Sequence, residues 1–596
     1  MRTRSLLAAA TTGLLAATLL VGAARRADQA AAASPAGPGP RDVIVHLFQW
    51  PWSSVAAECV NVLGPKGFGG VQVSPPQEHV VLPGRGHPWW QDYQPVSYQL
   101  TTRRGDRAAF AGMVRTCHDA GVKIYVDAVV NHMAGGASTG TGSGGSTYRH
   151  YGYPAVPYGD GDFHHCGRNG NDDIVNWGDR WEVQNCELVD LSDLRTEAAY
   201  VRGRLTAYLN DLVSLGVDGF RVDAAKHLPA ADLAAIVDPV TGSPYVFSEV
   251  IEGGAGEPTP EEYAGIGDVT EFRYGDVVGT AFRDGNLANL NNLASSMRLG
   301  SADAVAFVDN HDTQRNGRAK LTYRNGSAYA LAEAFMIAWP YGVPQVMSSF
   351  TFTDPEAGPP AAGNGTTSAV DCASGWACEH RWRSTANMVG LRNAAAGAGV
   401  TNWWSNGSDQ IAFGRGGAAY AAFNRAGGAL TRTFQTGLPA GTYCDVLSGD
   451  FSGGSCTGTT YQVNAAGQVT ATVPANGALA LHVNARTSGT PGPTPPGCAT
   501  VATGFEVTAT TAWGENVFVV GNVAALGGWN PANAVPLGSA SYPVWRGTVN
   551  LPPNTAVEYK YLRKNGDQVV WEGDPNRVRN VGAPASCAVT WTDSWR

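Results

Sequence analysis

From residue 42 to about 395 the chain repeats one pattern, a short apolar run followed by a segment with helical periodicity. The strand candidates are DVIVHLFQ, GVQVS, KIYVDAVV, VDGFRVDA, YVFSEV, AVAFVDN and PQVMSS. Stretches such as TEAAYVRGRLTAYLNDLVSL lie between them. An intervening helix returns the chain to the end where the last strand began, so successive strands run parallel. The alternation predicts a multidomain α/β protein whose main part is a closed (β/α)8 barrel or an open doubly wound sheet. No GxGxxG follows an early strand, which counts against a dinucleotide-binding sheet.

The rhythm breaks in three places. Residues 133–192 are rich in Gly, Tyr, His and Asp and read as an insertion into the 42–395 unit. Residues 396–486 alternate apolar with polar, as in QIAFGRGGAAYAAFN and LALHV, and read as a small β domain. TSGTPGPTPPG, residues 487–497, is a semi-rigid linker. Residues 498–596 are again β-like and carry Trp513, Trp529, Trp545, Trp571, Trp591 and Trp595.

Residues 1–33 have the pattern of a signal peptide: Arg2 and Arg4, then LLAAATTGLLAATLLVGAA, then an Ala-rich stretch ending at Ala33. Export predicts a secreted, extracellular protein with no membrane contact once the leader is removed. The full chain carries −9; the leader has four Arg and one Asp, which leaves −12. That charge disfavours nucleic acid and fits a neutral substrate. Export also favours disulfides among the ten Cys. Neighbours along the chain suggest Cys59–Cys117, Cys166–Cys186, Cys372–Cys378, Cys444–Cys456 and Cys498–Cys587, although spacing alone does not fix the pairing. With no CxxC pair, a zinc site has little support.

Charged residues recur where the strand candidates finish. Asp127, Asn131 and His132 end one; Arg221 and Asp223 end another, with Lys226 and His227 just beyond; then come Glu249, and Asp309, His311 and Asp312. In a barrel of parallel strands these ends share one face, so the carboxylates at 127, 223, 249 and 312 converge. Taken singly, each is an ordinary solvated strand end. Arg221, two residues before Asp223, is expected to keep that carboxylate ionised and lower its pKa. Glu249 has no cation beside it in sequence; crowded by other carboxylates, its pKa is expected to rise, which suits a general acid. One ionised and one protonated carboxyl are what glycoside hydrolysis requires.

VDAVVNH, GFRVDAAKH, FSEV and FVDNHD, in that order, resemble the four signature segments of the alpha-amylase family, glycoside hydrolase family 13. VHLFQW, HPWWQDYQPVSYQL and the Cys spacing point to its animal and actinobacterial secreted branch. The resemblance spans roughly residues 42–486. It implies a TIM barrel, a domain B after the third strand and a C-terminal antiparallel β domain. The implied activity is retaining endohydrolysis of alpha-1,4-glucosidic linkages in starch, glycogen and maltooligosaccharides. An exo-acting maltooligosaccharide former, a glucanotransferase and an inactive glucan-binding protein are the alternatives. By position, Asp223 resembles the nucleophile, Glu249 the acid/base and Asp312 the third carboxylate. Arg221, His132 and His311 resemble substrate-gripping residues, and Asp127 a supporting carboxylate. Trp89, Trp90, Tyr93 and Gln94 would line the donor side of the cleft. Lys226 is either a sugar contact or a surface lysine.

The resemblance also implies a structural calcium held by Asn131, Asp193 and the carbonyls of Gln184 and His227. Chloride is not expected: Arg221 and Asn310 match two of its ligands, but Gln345 stands where a basic residue is needed. The last hundred residues resemble a family 20 starch-binding β-sandwich. Trp529, Trp571, Lys560 and Asn576 resemble one glucan site, and Trp513, Tyr542 and Trp545 a second. The alternative for such tryptophans is the core of a small domain, which is the reading adopted for Trp591 and Trp595. A monomer is expected.

Overall fold

The computed structural model describes residues 39–135, 139–487, 500–512, 514–552, 555–566, 568–581 and 588–596. The leader, most of the linker, the Cys498–Cys587 pair and Trp513 lie outside them. The chain divides into two compact units, one on either side of residues 488 and 489.

In the first unit eight parallel strands close into a barrel. They are β1 (Ile44–Leu47), β2 (Gly70–Val73), β3 (Lys123–Ala128), β4 (Gly219–Val222), β5 (Tyr245–Ser248), β6 (Asp268–Glu271), β7 (Ala304–Ala306) and β8 (Val343–Ser348). The closed barrel, not the open sheet, is the form adopted. Six of the strands fall within apolar candidates, and β8 begins one residue before its candidate, at Val343. The eighth, β6, reads DVTE; an acidic residue at each end hides it from a search for apolar runs.

Alternation along each strand sorts the side chains. Phe220 and Val222 of β4 join the layer between strands and helices, while Gly219 and Arg221 point inward. Ile44, Tyr125, Tyr245, Phe247 and Val305 fill the lower barrel interior. Gly219 is needed there: a Cβ on it would stand 2.2 Å from the Tyr245 carbonyl oxygen. Above this apolar plug the inward positions are polar. Asp127 and Arg221 are register partners across β3 and β4.

The helices covering the barrel have local signals of their own. Asp106 caps helix Arg107–Asp119 by accepting from Ala109 N at 2.9 Å. The Cys59–Cys117 disulfide ties that helix to the preceding helical segment. Cys166–Cys186, Cys372–Cys378 and Cys444–Cys456 are also formed. The insertion leaves after β3 and returns before β4; its strands His132–Gly135 and Leu191–Asp193 pair antiparallel, His132 opposite Asp193. The last barrel helix ends at Ala394, and an antiparallel sheet begins at Val400. That sheet packs on the barrel helices through aromatic contacts such as Trp339–Phe413, 5.0 Å between ring centroids. Among the described residues no helix is long and apolar enough to cross a membrane.

The second unit is a pair of antiparallel-rich sheets around Phe505, Tyr559, Tyr561, Trp545 and Trp591.

Candidate active site

The site is built around one guanidinium. Arg221 Nη1 donates to Asp127 Oδ1 and Asp223 Oδ1, each at 2.6 Å. Its Nη2 stands 2.7 Å from Glu249 Oε1. That last approach is an ion-pair contact without hydrogen-bond alignment, so Glu249 Oε1 is buried with no hydrogen-bond donor. Glu249 Oε2 accepts from Ala224 N at 3.0 Å. Glu249 therefore does have a cation beside it in space, brought by the register of neighbouring strands and not visible along the chain. What separates the two carboxylates is the quality of the contact: aligned for Asp223, unaligned for Glu249.

Burial pushes the carboxylates up. Asp223 lies above the ordinary range because burial outweighs the opposing pull of Arg221, so its expected downward shift is corrected. Glu249 is also raised, by burial and by Asp223, against Arg221. Burial and the charge on Glu249 lift Asp312 to about 8, and burial lifts Asp127 to about 7. Three carboxylates contact one guanidinium and Asp312 stands close by, so the four groups titrate as an interacting set.

Asp127 is fully buried and accepts from Tyr93 Oη at 2.9 Å and Gln72 Nε2 at 3.3 Å. It braces Arg221 from behind. Asp312 is the most open of the set, with 28% of its side chain exposed, 3.2 Å from His311 Nε2. Burial holds the His311 ring well below its ordinary pKa and brings His132 to about 4, so both are neutral donors or acceptors. Tyr93 stacks on His311 at 5.3 Å, and Trp89 meets the same ring edge-on.

A cleft cavity of about 280 Å³ is lined by Asp223, Asp312, His132, His311, Trp89, Trp90, Tyr93 and Gln94. Leu188, Val189 and Leu191 of the insertion form its other wall. Glu249 and Arg221 sit behind Asp223 and are not among the lining residues; Glu249 keeps 8% of its side chain exposed. Lys226 is not a surface lysine: it is buried, ion-paired with Glu257, and does not line this cavity.

Some contributors to the site carry little signal in the sequence. Arg315 lies over the rings of Phe48, Phe350 and Phe352 and donates to the His311 carbonyl at 2.7 Å. Its only sequence signal is its place three residues after Asp312. Val189, 70% exposed, and its neighbours Leu188 and Leu191 show only as apolar residues in a polar insertion.

The residues matched to calcium gather in two pairs. Leu194 N donates to Asn131 O at 3.0 Å, beside the pairing of His132 with Asp193. His227 Nδ1 contacts Val183 O at 2.9 Å, next to Gln184. Asp193 is buried, raised to about 7 by burial, and 2.6 Å from His164 Nδ1. Gln345 Nε2 donates to Gln72 Oε1 at 2.6 Å, which chains it to Asp127.

In the second unit Trp529 and Trp571 form a tilted pair 6.5 Å apart, with Trp571 41% exposed. Lys560 is buried and ion-paired with Asp574; Asn576 is exposed and donates to Glu558 Oε2 at 3.3 Å. Tyr542 is exposed, but Trp545 is a core residue whose Nε1 donates to Ala509 O at 3.1 Å, so its faces are not free for stacking. Trp591 is likewise in the core, and Trp595 packs half-buried against it.

Three known families match along the chain: "Alpha amylase, catalytic domain" at residues 79–243, "Alpha amylase, C-terminal all-beta domain" at 403–484 and "Starch binding domain" at 500–592. An alpha-amylase of Thermomonospora curvata is 51% identical, covering 95% of this chain and 96% of its own. One from Tribolium castaneum is 49% identical over 75% of this chain and 95% of its own. The crystal structure of alpha-amylase I from Eisenia fetida superposes with a TM-score of 0.71 at 41% identity, covering 76% of this chain and 99% of that one. The carboxylate cluster at the strand ends, the barrel that carries it and these similarities together place this chain in the alpha-amylase family.

Proposed function

We propose that this protein hydrolyses internal alpha-1,4-glucosidic bonds of starch, glycogen and maltooligosaccharides with retention of configuration. The observation that carries the reading is the unequal grip of Arg221 on two neighbouring carboxylates. Asp223, with an aligned charge-assisted hydrogen bond, is the carboxylate that stays ionised and attacks the anomeric carbon. Glu249, buried with one oxygen undonated, carries the proton given to the departing glycosidic oxygen. The glycosyl–Asp223 ester forms as the bond to the leaving sugar breaks. Water then loses a proton to Glu249, attacks the same carbon and frees Asp223. Asp312, His132 and His311 hold the sugar hydroxyls, and the aromatic faces of Trp89, Trp90 and Tyr93, with Gln94 beside them, seat the donor rings. A variant of the Eisenia fetida enzyme was solved with maltohexaose, an oligosaccharide of the class proposed here.

Calcium would be held by Asn131, Asp193 and the carbonyls of Gln184 and His227. The donors are all oxygen and the Asp193 carboxyl is buried, which fits a hard cation. It would pin the insertion to the barrel. Trp529, Trp571 and Asn576, with Tyr542 apart from them, form the granule-binding surface, and tethering raises local substrate concentration. The leader and disulfides support secretion, and the negative charge supports a soluble monomer.

The test is Glu249→Gln. Reducing-sugar release from soluble starch should fall by about 10²–10⁴-fold, the usual contribution of a general acid. Adsorption to raw starch should be unchanged. Full hydrolytic activity in the variant would remove Glu249 from the role. Transfer products in place of short reducing maltooligosaccharides, on chromatography of the native reaction, would favour the glucanotransferase instead.

A further inference from the structure

We propose that Asp173, Glu187 and Asp190 of the insertion bind a divalent cation, calcium, that braces the loop forming one wall of the cleft. An oxygen of each of these three carboxylates lies within 4.8 Å of the others. None of the three belongs to the oxygen set at Asn131 and Asp193, so this is a separate site.

The second observation is the state of Glu187. Its side chain is fully buried. Oε1 accepts from Tyr151 Oη at 2.7 Å and contacts His150 Nε2 at 3.2 Å. Oε2 is buried too and has no hydrogen-bond partner among the described residues. An undonated carboxylate oxygen away from water is costly, and a cation is a partner that offsets it where two other carboxylates stand close by. Among the described residues no Lys or Arg forms an ion pair with any of the three; His150 is the one basic group, and it faces the other oxygen of Glu187.

The donor set selects the ion. It offers carboxylate oxygens and no thiolate, which excludes a soft-metal site. Asp173 is half-buried and Asp190 exposed, so an ion has an entry path and room for the waters that complete its shell. The loops that present these oxygens are irregular, and calcium tolerates such geometry where magnesium demands a regular octahedron.

The site would tie two separate segments. Asp173 and Glu187 already pair as a backbone bridge, and Asp190 N donates to Asp173 Oδ1 at 2.7 Å. Between and beyond them, Leu188, Val189 and Leu191 line the cleft beside Asp223. An ion bound here would fix that wall, so its loss would act on KM before kcat.

The experiment counts ions on the full-length protein. Chelator-stripped enzyme is equilibrated with calcium, and bound ion per chain is measured by equilibrium dialysis for the native form, Asp190→Asn, Glu187→Gln and Asp193→Asn. Asp190→Asn, a change at an exposed position, and Glu187→Gln should each bind one ion fewer than the native protein. Asp193→Asn should keep the ion at this site. Circular dichroism confirms that each variant is folded; should Glu187→Gln fail to fold, Asp190→Asn alone decides. Equal ion counts in the native protein and Asp190→Asn overturn the inference, whatever Asp193→Asn does.

Discussion

Arg221 Nη1 lies 2.6 Å from Asp223 Oδ1, and the same nitrogen is 2.6 Å from Asp127 Oδ1. Two carboxylates thus share one N–H-bearing nitrogen while a third, Glu249, meets the other arm. A planar fork presents these donors from two nitrogens in fixed directions; an ammonium offers its donors from one rotatable centre. Arg221→Lys should therefore lower kcat by about 10²–10³-fold, the scale for losing one preorganised donor at a reacting centre. KM for soluble starch should change little. Steady-state kinetics check this, and a lysine variant within a few-fold of native would remove the fork from the mechanism.

Behind the site, Asp309 is buried with Tyr329 Oη and Gln314 Nε2 as its donors and, among the described residues, no ion-pair partner, and burial raises it to about 8. The folded protein therefore keeps a proton that the unfolded chain releases near pH 4. Its contribution to stability is complete below that point and is lost as pH rises towards 8, at up to about 1.4 kcal/mol per pH unit. Asp309→Asn should flatten the decline. Urea midpoints measured from pH 4 to 8 would show it; parallel profiles for the two proteins would refute the shift.

The tryptophans of the second unit should divide by exposure. Trp571→Ala or Trp529→Ala in the full chain should weaken adsorption to granular starch by about 2- to 10-fold, given about 0.5–1.5 kcal/mol for a lost stacking contact. Rates on soluble starch should hold. Trp545→Ala should instead destabilise the unit by about 3–5 kcal/mol, as truncation of a core aromatic does. Depletion assays and thermal melts separate the two outcomes. Strong adsorption by a Trp529→Ala, Trp571→Ala double variant would displace the proposed surface.

Chloride should have no effect on rate. Gln345 is neutral and its Nε2 is committed to Gln72 Oε1, while Arg221, the cation matched to this site, is already shared among three carboxylates. Replacing chloride by a large organic anion at constant ionic strength should leave kcat within error. A several-fold loss would show that an anion binds despite Gln345.

The succession of apolar runs and helical stretches determined that this chain forms parallel βα units, because burial on both faces requires apolar strands and the pattern is local. The place of Asp127, Asp223, Glu249 and Asp312 at strand ends was legible for the same reason: strand ends of a parallel sheet share a face. Closure of the barrel was not, since the edge that completes it, β6, reads as the polar DVTE. Nor could sequence tell that Arg221 reaches Glu249 as well as Asp223, because that contact runs across neighbouring strands. The sign of the shift at Asp223 runs against its sequence neighbour for a related reason. Adjacency along the chain reveals a charge partner, but the cost of removing water depends on everything packed around the group. Arg315 over its aromatic rings, the apolar wall at Leu188 to Leu191, and the burial of Trp545 beside the exposure of Trp571 were decided by tertiary packing alone. Depth and orientation are properties of the assembled surface, and residue type does not encode them.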